Sequence, residues 1–183
     1  MMRLNFTLIF CLVSACLMAD GPKRELRGVW VATVQNIDWP SPRNYDGAKQ
    51  KSEFIDLVNS HQKTGINALF VQIRTASDAL YAKSAEPWTT YLSGKQGQAP
   101  SPYYDPLEFM IDQTHARGME FHAWLNLNRA SMSSRSLLSS EHVARKHPEW
   151  LLSYNGQLLF DFGIPAVRHY IAGLVRNIIV NYD

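Results

Sequence analysis

The sequence predicts an α/β protein built from repeated βα units around a parallel sheet buried on both faces, and three observations carry that reading. Near-continuous apolar and β-branched runs stand at residues 27–34 (RGVWVATV), 67–74 (NALFVQIR) and 119–126 (MEFHAWLN). Runs of that kind, lacking polar alternation, belong to parallel strands covered on both sides. Each is followed by a helical pattern, and the strands recur at intervals that leave room for a crossover helix. The long polar segments all come after the C-terminal ends of strands, where parallel α/β folds assemble their sites.

In chain order, residues 1–19 read as a secretory signal: Arg3 is the only charge, the stretch 6–15 is apolar except for Thr7 and Ser14, and charges resume at Asp20. An apolar run of about ten residues is half of what a bilayer-spanning helix needs. The remainder, 20–183, is predicted to hold the folded domain. Strand 27–34 feeds a proline-broken loop, then a helix over 49–63 with Phe54, Leu57, Val58 and Gln62 at helical spacing, closed by Gly65. Strand 67–74 precedes a long loop to residue 104. Asp105 then caps a helix with Pro106 in its first turn and Glu108 completing a capping box; Leu107, Met110, Ile111 and Thr114 line one face before Gly118 ends it. After strand 119–126 come a serine-rich loop over 129–140, a short helix near 141–146, and a two-strand or turn segment around 151–160. A last helix opens at Ile164-Pro165 with Val167, Ile171, Leu174, Val175 and Ile178 on one face.

Composition removes several functions. With 183 residues, 46% hydrophobic and 19% charged, the chain is of ordinary globular make-up. The net charge of +2 comes without a basic run, so nucleic acid is not an expected partner. Both cysteines, Cys11 and Cys16, fall inside the signal, which takes disulfides, thiol catalysis and cysteine-bound zinc out of the mature domain. Val13-Ser14-Ala15-Cys16 is similar to a bacterial lipobox, with Cys16 lipidated and giving a membrane anchor; cleavage after Ala19 is the alternative. Either way the expected location is exported, in the cell envelope or secreted. The six histidines form no metal-ligand pair, and neither a glycine-rich phosphate loop nor a G-x-S-x-G elbow is present, so no metal and no cofactor is expected.

The candidate site residues gather at strand ends. Trp39 stands in the loop after the first strand, Arg74 and Asp78 close the second, and Glu86 and Trp88 lie in the long loop beyond it. His122, Trp124 and Asn126 share one face of the third strand by two-residue alternation, with Arg129 three positions on. Imidazole, indole and amide groups on one face suit a cleft or barrel interior better than a helix interface. Tryptophans beside prolines in polar loops suit stacking on flat sugar faces, while planar hydrogen-bonding groups suit hydroxyls. An Arg74–Asp78 structural ion pair and a merely buried His122 are the plainer readings. The constellation as a whole favours a carbohydrate site.

The blocks RGVWVATVQNIDWPS, NALFVQIRTASDALYAKSAEPWTTYLSGKQG, YYDPLEFMIDQTHARGMEFHAWLNLNR, KHPEWLL and FDFGIPAVRHYI resemble, in order, those of bacterial glycosyl-hydrolase-like proteins related to family 10 glycosidases. That resemblance implies a (β/α)8 TIM barrel, of which this chain would be the N-terminal part, about three to four βα units and incomplete, since a closed barrel takes about 250 residues. It implies glycosidic-bond hydrolysis, with cell-wall glycan or another envelope polysaccharide as substrate. Arg74 and Asp78 match the second-strand motif, Trp88 the E-P-W loop, and His122, Trp124, Asn126 and Arg129 the third-strand motif. Leu127 and Asn128 stand where the family usually has a proline and an aromatic. The family's aspartate-rich fourth strand would follow Asp183, so no catalytic residue is named within the chain. Two further expectations stand beside hydrolysis: a carbohydrate-binding envelope lipoprotein without catalysis, and an inactive truncated fragment.

Overall fold

The structure, a computed structural model, describes residues 25–182. The signal and Cys16 lie outside the described residues. Three strands, β1 (Gly28–Val31), β2 (Ala68–Arg74) and β3 (Glu120–Leu125), form a parallel sheet in sequence order. The helices are α1 (Gly47–Lys63), α2 (Thr90–Ser93), α3 (Pro106–His115), α4 (Val143–Lys146) and α5 (Pro165–Asn181). Each parallel strand is therefore followed by one long helix, α1, α3 or α5, giving three consecutive βα units.

The helices start where the chain supplies caps. Asp46 accepts from the N–H groups of Ala48 and Lys49 and begins α1 two residues earlier than the apolar periodicity predicts. Asp105 accepts from Leu107 N at 3.1 Å and starts α3, with Pro106 in the first turn as expected. Glu108 is exposed and makes no reciprocal bond among the described residues, so the cap is one-sided. Behind the sheet, Leu69, Val71 and Ile73 of β2 pack with Phe54 and Val58 of α1 and Leu107 and Met110 of α3. At about 1.5–3 kcal/mol per fully buried large side chain, this layer is the main favourable term of the parallel half. The opposite face carries a row set by register, Trp30 beside Phe70 beside His122, with the rings stacked at 4.9 and 4.5 Å. Among the described residues no helix covers this row, and Trp30 is 60% exposed.

Between β3 and α5 the chain builds a second, antiparallel sheet, β4 (Arg129–Ser131), β5 (Leu151–Tyr154) and β6 (Gln157–Phe160), in the order β4-β6-β5. The expected two-strand segment is a hairpin turning at Asn155-Gly156, both at positive φ (48° and 75°), as a two-residue turn requires. The expected loop over 129–140 instead opens with a strand. Three residues are too few to show periodicity, and the partner is β6, nearly thirty residues away. Ala130, Val143 and Phe160 pack with Val167, Ile171 and Leu174 of α5 in a second core, while Ile178 and Tyr182 reach the first. Thus α5 bolts the two sheets together.

Candidate functional site

The end of β2 is built around one buried charge. The Arg74 side chain is fully enclosed; its Nε and Nη2 donate to the two oxygens of Glu86 at 2.7 Å each, and Nη2 also donates to Ser77 Oγ at 2.9 Å. Its Nη1 donates to the backbone carbonyl of Asn126. Tyr170 of α5 donates its hydroxyl to the same Glu86 carboxylate at 2.6 Å. Burial, reinforced by that carboxylate, pushes the Tyr170 phenol well above its ordinary pKa. Burial also opposes the Arg74 charge, but Glu86 outweighs it and holds the guanidinium protonated. Arg74 is thus corrected from sugar contact to structural tie: its fork is spent on Glu86, Ser77 and Asn126, and its ion-pair partner is Glu86 rather than Asp78.

Immediately beyond, the chain makes a tight turn in which Ser77 adopts φ 55°. Asp78 Oδ1 accepts from Thr75 Oγ1 at 2.5 Å and from Ala76 N at 3.1 Å. The carboxylate is thereby fixed on the wall of a cleft of about 430 Å³, with Thr75, Ala76 and Asp78 on one side, Tyr91 and Gln96 beside them, and the 131–138 segment opposite. The Tyr91 phenol is raised by burial; Asp78 adds to the shift, while the Gln35 backbone and Arg129 oppose it. Asn36 donates to the Tyr91 carbonyl at 3.1 Å, and both Gln35 and Asn36 stand at φ 54°. Left-handed non-glycine residues after β1 and after β2 concentrate backbone strain at the strand ends, as functional sites often do.

The end of the third strand is tied to the same turn. Trp124 Nε1 donates to Asn126 Oδ1 at 3.0 Å, and Asn126 Nδ2 donates to the Thr75 carbonyl at 3.2 Å. His122 shares the face of Trp124, as alternation predicts, but sits mid-strand against Phe70 with Nε2 3.0 Å from Glu120 Oε2, away from the cleft. Arg129 begins β4 and donates to Met132 Sδ at 3.4 Å, at the cleft's far wall. Trp39 is a second correction: it is 1% exposed, donates Nε1 to the Gln50 carbonyl at 2.9 Å and meets Phe54 edge-on, so no ring face is left for a sugar. Trp88 is half-buried against the first core, edge-on to Tyr103, and forms no part of the cleft wall.

Of the carboxylates near strand ends, Glu86 is held by Arg74 and Tyr170, Asp38 accepts from Ala32 N at 2.7 Å, and Asp161 accepts from Gly163 N at 2.8 Å. Asp78 is the carboxylate that lines the cleft. Sequence reasoning missed Tyr91 and the buried His142. A tyrosine and a histidine in polar segments carry no local signal of such a place; Tyr91 is held by Asn36 and His142 by Ala76, both distant in sequence.

The family described as glycosyl hydrolase-like 10 matches residues 25–183. Glycosyl hydrolase YngK of Bacillus subtilis (strain 168) is 45% identical over 174 residues, covering 93% of this chain and 34% of the relative. Glycosyl hydrolase DigH of Escherichia coli (strain K12) is 33% identical over 176 residues, covering 87% of this chain and 40% of the relative. The chain therefore spans roughly a third to two fifths of the curated relatives it matches. Among solved structures, the noncanonic maltogenic alpha-amylase AmyB from Thermotoga neapolitana superposes with a TM-score of 0.53 at 15% identity, over 85% of this chain and 36% of that one. At that identity the likeness is one of fold, and it agrees with three βα units forming part of a TIM barrel.

Proposed function

The chain belongs to the glycosyl hydrolase-like 10 family, and from that premise we propose that the whole protein hydrolyses O-glycosidic bonds in a bacterial envelope polysaccharide such as cell-wall glycan. In this proposal the chain supplies the substrate-orienting part. The observation that carries it is the cleft at the strand ends with Asp78 fixed in its wall. A sugar lodged there meets a lining that includes the Asp78 carboxylate, Tyr91, Gln96 and Ser136, alongside apolar Met132 and Leu137. That mixture suits a hydroxyl-rich ring with apolar C–H faces. Arg74, Asn126 and Trp124 hold the walls and do not need to touch the sugar.

Glycoside hydrolysis takes two carboxyl groups, about 5–5.5 Å apart for retention or about 6.5–9.5 Å for inversion. Asp78 can orient a hydroxyl or serve as one of the pair, and its counterpart comes from outside the described residues. Among the described residues Asp78 is the one carboxylate that lines the cleft, and a second reading is glycan binding without cleavage. Incubation of the full-length protein with purified cell-wall glycan decides between them: new reducing ends support hydrolysis, retention on glycan without new ends supports binding alone, and neither outcome sinks both. We further propose export to the envelope, with Cys16 lipidated or the leader removed after Ala19; the mass of the mature N-terminus separates these two.

A further inference from the structure

We propose that His142 is a positioning residue of the cleft, clamping the 75–78 turn to the second sheet's lobe and so setting the distance between the cleft walls. This deepens the glycan-cleft reading and rests on it. His142 is fully buried and precedes α4. Its Nδ1 accepts from Ala144 N at 3.1 Å, and its Nε2 lies 3.0 Å from the carbonyl of Ala76, 66 residues earlier in the chain. An amide N–H can only donate and a carbonyl can only accept. The ring is therefore the Nε2–H tautomer with Nδ1 bare, and both nitrogens are engaged. With no nitrogen left over, His142 acts through Ala76 rather than on a ligand.

The path to the cleft is short. The Ala76 carbonyl accepts a hydrogen bond from His142 Nε2–H, and the Ala76 N–H donates to Asp78 Oδ1 at 3.1 Å. On the other side, His142 N donates to the Ser139 carbonyl at 3.1 Å, next to the 136–138 stretch that forms the opposite wall. The residue thus ties the Ala76 turn, through its imidazole, to the segment ending at Ser139, through its own backbone N–H. A second tie, Ser139 N to Gln96 Oε1 at 2.9 Å, crosses at the half-buried rim. The inner tie is the one that touches the Asp78 turn.

Two substitutions separate the ring's two bonds. In His142→Asn the amide oxygen falls near Nδ1 and keeps the α4 cap, but the side chain is too short to reach Ala76. In His142→Gln the amide nitrogen reaches toward Ala76 while the cap is lost. With the full-length protein and soluble cell-wall glycan strands, H142N is expected to raise KM roughly fivefold, the effect of one lost hydrogen bond, with kcat held within about twofold. H142Q is expected to restore KM while its thermal midpoint falls. Amide exchange at residues 76–78, measured without glycan, should quicken in H142N and stay slow in H142Q. The reverse ranking of the two variants, or equal exchange in both, overturns the clamp. A wild type inert toward glycan overturns the glycan reading instead, and the exchange ranking still decides the clamp.

Discussion

His142 carries a pH dependence as well as a contact. Burial holds its pKa below the ordinary histidine value of 6.5; the Ala76 carbonyl, Asp78 and Glu86 pull the other way, and Arg74 adds to the depression. Below about pH 6.5 the unfolded chain takes up a proton that the folded chain resists. Stability is therefore full above that value and declines as pH falls toward the depressed folded-state pKa, by at most about 1.4 kcal/mol per pH unit. Urea denaturation of the full-length protein across pH 7.5 to 5 should show this slope in wild type and a shallower one in H142Q and H142N. An unchanged slope in both variants would show that other groups carry it. His142 also marks where reading residues singly runs out: like Trp39, it lies in a polar stretch whose composition suggests surface, yet tertiary contacts bury it, here against Ala76, 66 residues earlier. For Trp39 the cover is α1, through Gln50 and Phe54.

At the scale of elements, the parallel strands and long helices were legible because their patterns are local. Apolar runs mark β1 to β3, and Asp105-Pro106 marks the start of α3. Even the alternation on β3 placed His122 and Trp124 correctly on the face away from the helices. β4 was not legible, since its pairing is with β6. The join between elements was half legible: Arg74 and Glu86 stand out as charges at a strand end, but nothing local says that they pair. That pair binds β2 to its loop and, through Tyr170, to α5. Breaking it leaves the Arg74 charge buried and uncompensated. Glu86→Gln should cost about 3–5 kcal/mol by chemical denaturation, whereas the double variant Arg74→Met/Glu86→Leu should recover much of that loss. If E86Q were as stable as wild type, the buried pair would not be the joint assigned to it.

For the molecule as a whole, the arrangement divides labour between two sheets. The parallel sheet presents loops at one end, and the antiparallel lobe, bolted on by α5, folds over them to enclose the cleft. Neither sheet lines the cleft alone, which explains why strand-end motifs carry no signal of the Arg74–Glu86 tie or of the burial of Trp39. The central claim is that Asp78 faces substrate while Arg74, Asn126 and His142 hold it there. The most direct test is the rate of cell-wall glycan cleavage, and glycan affinity, of the full-length protein carrying Asp78→Asn. A carboxylate whose charge bears on the sugar should, when made neutral, lower kcat/KM by at least about tenfold, some 1.4 kcal/mol of transition-state stabilisation, with a thermal midpoint near wild type. Wild-type cleavage and affinity in a well-folded D78N protein would contradict the assignment of this cleft to the substrate.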